Sequence, residues 1–241
     1  LPDKEDDTMK IVIIHGQNHI GSTCTIAREL AGKVGGDIRE FFLPKDFAEP
    51  CLGCFTCFQK TIDDCPHAAS LKPLREALLA SELIILDSPV YVYHATGSMM
   101  NFLDHFGTWW IVHRPEPAMC GKQAVAVTTA AGGGMASAAR DMGDSLKMWG
   151  ISRVYRLGVG VQAVSPDEIP AGIRQRICRR TDRLAAMIRR RQGSRGMNCR
   201  ARFWFSLMRL AHRHLPPAEP DYSYWEDQGW HGAKRPWREV R

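Results

Sequence analysis

The sequence predicts an α/β fold: a doubly wound, five-stranded parallel sheet in the order 2-1-3-4-5, with a C-terminal helical and aromatic extension. Short apolar runs rich in β-branched residues alternate along the chain with segments of helical periodicity. Polar or glycine-rich loops follow the first, third and fourth runs, at the edge where such sheets bind ligands. A chain of 241 residues, 44% of them hydrophobic, can bury a core of this size.

The apolar runs are predicted to be strands because they are short and are bounded by glycine or polar residues. The first run ends at Gly16, and the fourth continues into three consecutive glycines. Unbroken apolar stretches of this kind are typical of strands that are buried on both faces. The predicted strands are KIVIIHG at 10–16, DIREFFL at 37–43, LIILDSPVY at 83–91, KQAVAVTTAAGGG at 122–134 and ISRVYRLGVGV at 151–161.

The segments between these strands carry apolar residues at helical spacing. After the first strand, Ser22 or Thr23 can cap a helix that ends at Gly35. Helices that alternate with parallel strands cover both faces of the sheet. Further helices are predicted within 70–82, 97–110, 137–150 and 165–191, the last with Pro170 near its start.

We expect the chain to have three parts. Residues 1–8 precede Met9 and are expected to be a leader outside the fold. Residues 9–192 are expected to form the sheet domain, and residues 193–241 an extension that packs on that domain or on a partner subunit. A basic amphipathic helix is predicted at 202–212, which suits a membrane surface or a dimer interface. We favour the dimer interface, and therefore a homodimer or higher homo-oligomer.

The net charge of the chain is +6, and arginines crowd the segment from 174 to 195. We interpret this segment as a solvated helix face with no nucleic-acid partner, because no nucleic-acid-binding motif accompanies the charge. No apolar stretch approaches the length of a transmembrane segment. The first residues are acidic and polar, without the apolar region of a secretion signal. A cytoplasmic location is therefore expected.

Three loops at the predicted ligand edge suit a bound mononucleotide. Residues 15–25 supply hydroxyl and amide groups at a helix N-terminus, where free N–H groups and the helix dipole attract a phosphate monoester. Tyr91 and Tyr93 can flank a planar ring, and residues 132–134 are glycines that let the backbone approach it. The P-loop and dinucleotide glycine motifs are both absent from the sequence. Together the loops predict an anionic ligand with a planar ring.

Four of the eight cysteines stand in one short stretch, CLGCFTCFQKTIDDCP, with the spacing C-x2-C-x2-C-x7-C. Thiolates three residues apart on a looping backbone can converge on an iron-sulfur cluster, and the fourth can arrive from a short excursion. Four thiolates also suit zinc, and the spacing alone leaves free thiols near a ligand or a disulfide open. The candidate metal ligands are Cys51, Cys54, Cys57 and Cys65.

The sequence resembles the flavodoxin-fold NAD(P)H-dependent FMN reductases, and within them the iron-sulfur flavoprotein group, over about residues 9–165. In that family, serine and arginine stand where this chain has Gln17 and His19, and another arginine stands at the position of His105. The tail DYSYWEDQGW is similar to the end of some members of the group. The segments that carry the resemblance are HGQNHIGSTCTIARELA, SPVYVYHATGSMMNFLDH, TTAAGGG and the cysteine motif.

The resemblance implies a flavodoxin-like fold and an FMN-dependent oxidoreductase. Such an enzyme passes hydride from NAD(P)H to flavin N5 and then electrons to a small-molecule or protein acceptor. A 4Fe-4S cluster on the four clustered cysteines is also implied. A flavodoxin-like electron carrier without substrate turnover is the alternative, which the basic charge disfavours. The implied FMN contacts are Gln17, His19, Gly21, Ser22, Thr23, Ser88, Pro89, Val90, Tyr91, Thr129, Ala131, Gly132 and Gly133.

Other reactive residue types near these loops are expected to have structural roles. The isolated cysteines are expected to be inert packing residues, as single buried thiols usually are. The histidines near the flavin loops are expected to be structural or exposed, so no catalytic acid or base is assigned. These residues are Cys24, Cys120, Cys178 and Cys199, and His94, His105 and His113.

Overall fold

The computed structural model describes residues 8–163, 165–194 and 196–239, with no side-chain description for residue 239. It contains a five-stranded, all-parallel sheet in the order β2-β1-β3-β4-β5, so the predicted fold class and strand order are confirmed. Crossover helices connect the strands, as parallel pairing requires. The strands are β1 (Lys10–His15), β2 (Asp37–Phe42), β3 (Leu83–Pro89), β4 (Gln123–Ala130) and β5 (Arg153–Gly160).

Helices cover both faces of the sheet. One face packs against α1 and α6, and the other packs against α3, α4 and α5. Within the described part of the chain, no helix is long and apolar enough to cross a bilayer. The helices are α1 (Ser22–Val34), α2 (Thr56–Gln59), α3 (Ala68–Ala80), α4 (Gly97–Asp104), α5 (Met135–Met148), α6 (Ala171–Arg190), α7 (Cys199–His212), α8 (Pro220–Asp227) and α9 (Pro236–Glu239).

Some local predictions were wrong. The cap residue of α1 is Gly21, and Ser22 and Thr23 lie inside the first turn with buried side chains. The helix predicted at 97–110 ends at Asp104, and a short 3-10 turn follows. Pro170 stands at the N-cap of α6, as the sequence predicted, because its missing N–H costs nothing at a helix start.

The C-terminal extension packs onto the sheet domain through a third apolar cluster. The buried side chains of Phe205, Trp225 and Trp230 contact one another, with the rings of Phe205 and Trp225 stacked at 4.5 Å. Ile111 and Met148 of the domain belong to the same cluster. The extension contains α7, α8 and α9, where the sequence predicted one helix and an aromatic tail.

Candidate functional site

A pocket of about 230 Å³ opens at the carboxyl edge of the sheet, between the loops that follow β1, β3 and β4. These are the loops in which the sequence predicted a ligand. In open parallel sheets this edge is where ligands bind, because the strand order reverses there. The pocket is lined by Gln17, His19, Gly21, Ser22, Thr23, Cys24, Asp87, Pro89, Val90, Tyr91, Thr129, Ala130, Ala131, Val161 and Ala163.

The N-terminus of α1 faces this pocket with unpaired polar groups. Its cap residue, Gly21, offers no side chain to the free N–H groups of the first turn. The Ser22 hydroxyl is buried, yet it has no hydrogen-bond partner among the described residues. Thr23 Oγ1 lies 2.5 Å from Thr129 Oγ1 and ties the helix start to β4. Leaving a buried hydroxyl unpaired costs about 1–3 kcal/mol, so an anionic ligand would be stabilised here.

Two glycines allow the loops around the pocket to approach closely. The Gly16 N–H donates to the Asp87 carbonyl at 2.7 Å, and the Gly16 carbonyl accepts from Thr96 Oγ1 at 2.7 Å. A Cβ at position 16 would lie 2.8 Å from Thr96 Oγ1, so a side chain does not fit. Gly134 has φ of 90°, and a Cβ there would lie 2.7 Å from Val90 Cγ1. Glycine therefore brings the three loops together.

Most residues assigned to FMN by resemblance line the pocket, but three do not. Ser88 is fully buried, and its hydroxyl accepts from the Thr96 N–H at 2.8 Å and donates to the Pro89 carbonyl at 2.9 Å. It supports the loop after β3 from behind. Gly132 and Gly133 lie in an exposed turn outside the pocket.

Sequence reasoning missed part of the lining. The loop after β5 had not been assigned to the site, although β5 ends at the same edge of the sheet. Asp87 could have been found, because the predicted strand order places the ends of β1 and β3 side by side, and His15 pairs with Asp87 in the register. The missed lining residues are Cys24, Asp87, Ala130, Val161 and Ala163.

A buried charge network borders the pocket through Asp87. His15 is 1% exposed, its Nδ1 donates to Asp87 Oδ2, and its Nε2 lies 3.1 Å from Glu40 Oε1. Arg28 binds both oxygens of Glu40, at 2.7 and 2.9 Å. Burial alone lowers the pKa of His15, but the hydrogen bond and charge of Asp87, with a contribution from Cys24, raise that pKa to about 10. Burial raises the pKa of Asp87, and the hydrogen bond and charge of His15 oppose that shift. The close contact of His15 Nδ1 with Asp87 Oδ2 favours an ion pair of these two groups, and Glu40 lies on the other side of the ring.

The four clustered cysteines line a second pocket of about 140 Å³, and all of them are free thiols. Burial raises the pKa of the Cys57 thiol, and the neighbouring Cys65 and Cys51 raise it further. Hydrogen bonds from Thr56 lower the pKa of Cys54. In the described part of the chain, no group of three or more His, Cys, Asp or Glu side chains has the arrangement of a metal site. The thiols thus surround one pocket, and ligation would require them to turn toward a common centre.

Two imidazoles complete the wall of the cysteine pocket. The His105 Nδ1–H donates to the Asn101 carbonyl at 2.9 Å, which leaves Nε2 as an acceptor. The Nε2 atoms of His105 and His67 are both buried without a partner among the described residues. Burial lowers the pKa of His105, so its ring is neutral. His105 therefore borders the cysteines and does not line the pocket at α1.

Arg114 connects the cysteine segment to the C-terminal extension. Its guanidinium donates to the carbonyls of Cys57 at 2.6 Å and Phe58 at 2.9 Å, and its Nε lies 2.9 Å from Asp221 Oδ1 in α8. Asp221 also accepts from His113 Nδ1 at 2.9 Å, and the His113 ring meets Phe58 edge to face. The cysteine segment is thus held by Arg114 of the domain, which Asp221 of the extension contacts in turn.

The isolated cysteines do not share one environment. Cys24 and Cys120 are buried, whereas Cys178 and Cys199 are exposed. A packing role therefore fits Cys24 and Cys120 but not the two exposed cysteines, and the expectation that all four are inert stays a prediction. Cys178 lies on the arginine-rich outer side of α6, and Cys199 is the first residue of α7, so neither side chain reaches the core.

This chain is similar to known proteins in sequence and in fold. An iron-sulfur flavoprotein of Archaeoglobus fulgidus is 33% identical over 113 residues, which are 46% of this chain and 49% of that protein. The match therefore spans about half the length of that relative. The apo form of an NADH:FMN oxidoreductase superposes with a TM-score of 0.52 at 18% identity, over 79% of this chain and 95% of that one.

An FMN-dependent NADH-azoreductase of Bacillus anthracis, solved with FMN, superposes with a TM-score of 0.55 at 9% identity, over 74% of this chain and 99% of that one. At such low identities the structural matches show the fold alone. The family model described as NADPH-dependent FMN reductase matches residues 9–161. This range includes every residue that lines the pocket at α1 except Ala163. This chain therefore belongs to the NADPH-dependent FMN reductase family.

Proposed function

We propose that this chain is an FMN-dependent NAD(P)H oxidoreductase that passes electrons to a small-molecule or protein acceptor. The main support is the N-terminus of α1, which faces a pocket at the carboxyl edge of the sheet. Its N–H groups have no side-chain cap, and the buried Ser22 hydroxyl has no hydrogen-bond partner among the described residues. When bound, FMN supplies the redox chemistry, since its N5 accepts hydride from nicotinamide and the electrons then pass to the acceptor. Family membership supports this reading.

The residues of the pocket divide into two sets in this proposal. Those before and within the first turn of α1 hold the phosphate through hydroxyl, amide and backbone N–H groups. Those after β3 and β4 bound the flavin ring, with the half-exposed Tyr91 at the rim. The phosphate set is Gln17, His19, Gly21, Ser22 and Thr23, and the ring set is Pro89, Val90, Tyr91, Thr129 and Ala131.

His15 offsets the negative charge of Asp87, a carboxylate that lines the proposed anion site. Asp87 lines the pocket, and as an isolated carboxylate it would repel a phosphate group. The imidazolium of His15 neutralises it from behind, and Arg28 neutralises Glu40 in the same way. The network therefore carries no net charge when His15 is protonated.

We further propose that Cys51, Cys54, Cys57 and Cys65 hold a 4Fe-4S cluster. The donor set has the right chemistry, because four thiols line one pocket. Two of them, Cys65 and Cys51, are close enough to Cys57 to raise its pKa. A relative that bears the name iron-sulfur flavoprotein supports this proposal. A cluster bound there would supply a one-electron carrier in addition to the flavin.

Anaerobic reduction tests the oxidoreductase proposal. Protein loaded with FMN is mixed with NADPH, and separately with NADH, while flavin absorbance is followed. We expect at least one nicotinamide to bleach the flavin within seconds and an added quinone to restore it. If dithionite bleaches the flavin and neither nicotinamide does, the chain is an electron carrier and the oxidoreductase proposal is wrong.

Iron and acid-labile sulfide analysis of anaerobically prepared protein tests the cluster. We expect about four of each per chain, and their loss in Cys57→Ser. Cys178→Ser is the matched control, because it removes an exposed thiol far along the chain from the motif. Zinc without sulfide, or a full iron content in Cys57→Ser, would contradict the assignment.

A further inference from the structure

The outer face of α7 carries an apolar stripe that no described residue covers. Phe203, Leu207 and Leu210 are 64%, 46% and 59% exposed. Their helical spacing places them on one line along the helix. The opposite face is fully used, because Phe205 is buried against Trp225 and the apolar cluster beneath it. Large side chains exposed in one contiguous stripe mark an interaction surface.

A cluster of arginines flanks this stripe. Arg202, Arg209 and Arg213 recur along one side of α7, and Arg235 and Arg238 approach them from the end of the chain. Burial lowers the pKa of Arg235, and the charges of Arg209, Arg238 and Arg213 lower it further. The Arg209 Nε is buried without a hydrogen-bond partner among the described groups. No described carboxylate forms an ion pair with any of the five.

A comparison of α7 with α6 shows that arginines and exposed apolar side chains occur together on α7 only among these two helices. The helix α6 is also rich in arginine, but it exposes no large apolar side chain. Its basic face therefore suits solvent, as the sequence analysis predicted. On α7 the arginines stand beside apolar side chains, which is the composition of helices that lie in the interface of an anionic bilayer.

A second copy of the chain fits this face poorly. A twofold contact brings the same surface of both copies together, so an antiparallel pairing of α7 would place the two arginine clusters on the same side without described carboxylates between them. An anionic lipid surface instead supplies both the negative charge for the arginines and an apolar layer for the stripe. Charge complementarity thus selects the bilayer over the dimer interface favoured from the sequence.

We propose that α7 docks this protein on anionic membrane surfaces, with Phe203, Leu207 and Leu210 entering the headgroup region and the arginine cluster binding lipid phosphates. The protein is held on the surface and not through it. The carboxyl edge of the sheet lies elsewhere in the fold, so the docking does not depend on the proposed reaction.

Vesicle co-sedimentation of the full chain tests the proposal. We expect binding to vesicles of phosphatidylserine and phosphatidylcholine, little binding to phosphatidylcholine alone, and release at high salt. Leu207→Asp should weaken binding at least tenfold, because it places a charge in the apolar stripe. Arg213→Gln with Arg238→Gln should weaken binding about fivefold for each arginine removed. The matched control, Arg179→Gln with Arg183→Gln on α6, removes the same charge and should change binding little.

Light scattering of the wild type and Leu207→Asp runs in parallel, and thermal unfolding verifies that each variant folds. Absence of binding to anionic vesicles would overturn the proposal. If the α6 control weakens binding equally, the attraction depends only on net charge and not on α7, which would also overturn the proposal. A wild-type dimer that Leu207→Asp converts to monomer would show instead that the face joins two copies of the chain.

Discussion

At the scale of single residues, the site depends on buried polar groups whose partners come from outside their own element. Ser22 has no hydrogen-bond partner among the described residues and lines the pocket, whereas His15 has two partners on two neighbouring strands. In the proposed function, a ligand would pair with the Ser22 hydroxyl, and His15 would keep Asp87 compatible with an anion.

We predict that Ser22→Ala weakens FMN binding by about 1.5–3 kcal/mol, or roughly ten- to a hundredfold, because a hydrogen bond to a charged group is lost. Fluorescence titration of the apoprotein with FMN measures this. Thr25→Ala is the control, since it removes an exposed hydroxyl of the same helix outside the pocket. Equal dissociation constants for the wild type and Ser22→Ala would show that the FMN phosphate does not bind at Ser22.

We predict that His15→Asn lowers the free energy of unfolding by about 3 kcal/mol near pH 6, because the buried Asp87 loses its cation while the half-buried Glu40 keeps Arg28. The folded-state pKa of His15 is raised from 6.5 to about 10, so its stabilisation is complete below pH 6.5 and disappears as the pH rises to 10. Urea unfolding at pH 6, 8 and 10 should show the two proteins converging. The exposed His94→Asn should show no such trend, and a pH-independent deficit in His15→Asn would refute the charged pair.

At the scale of elements, the helix α8 of the extension is linked to the cysteine segment through Arg114. Asp221 fixes Arg114, and Arg114 holds the carbonyls of Cys57 and Phe58. The short helix α2 contributes no buried residue of its own, so its position depends on such outside contacts. The reactivity of the thiols should therefore respond to a residue far along the chain.

We predict that Asp221→Asn speeds alkylation of Cys57 by iodoacetamide about fivefold. Losing an ion pair worth roughly 1 kcal/mol makes local opening of the segment about fivefold more frequent. Peptide mapping after timed anaerobic labelling gives the rate. Asp227→Asn is the matched control at the exposed end of the same helix. The same rate in wild type and Asp221→Asn would show that the extension does not restrain the cysteines.

At the scale of the whole molecule, the extension shares an apolar core with the sheet domain. Trp225 is fully buried among Phe205, Trp230 and His212, and its Nε1–H donates to the His113 carbonyl. We propose that the extension folds as part of the sheet domain and not as a separate unit.

We predict that Trp225→Ala lowers the free energy of unfolding by about 3–5 kcal/mol and leaves one cooperative transition. Chemical unfolding followed by circular dichroism and by tryptophan fluorescence should give coincident curves. Phe203→Ala, which truncates an exposed ring in the same region, should cost far less. Two separate transitions would show that the extension is an independent unit.

The sequence by itself determined the sheet, its strand order and the loops of the site. These follow from local information: apolar runs such as those of β1 and β3, glycine stops, and the rule that strand ends meet at one edge. Ser22 and Tyr91 could be placed at this edge because Ser22 begins the helix after the first loop and Tyr91 ends the third predicted strand. The cysteine spacing likewise placed four thiols around one pocket.

Only the tertiary structure decided which side chains are paired and which are left over. His15 becomes a buried cation because Asp87 and Glu40 arrive from two other strands, and no local pattern encodes that meeting. The pocket lining leaves out Ser88, and Cys178 is exposed, because the direction of a side chain depends on packing from distant segments. The exposed stripe of α7 emerged in the same way: the helix was predictable, but which of its faces the core would cover was fixed by contacts far apart in the chain.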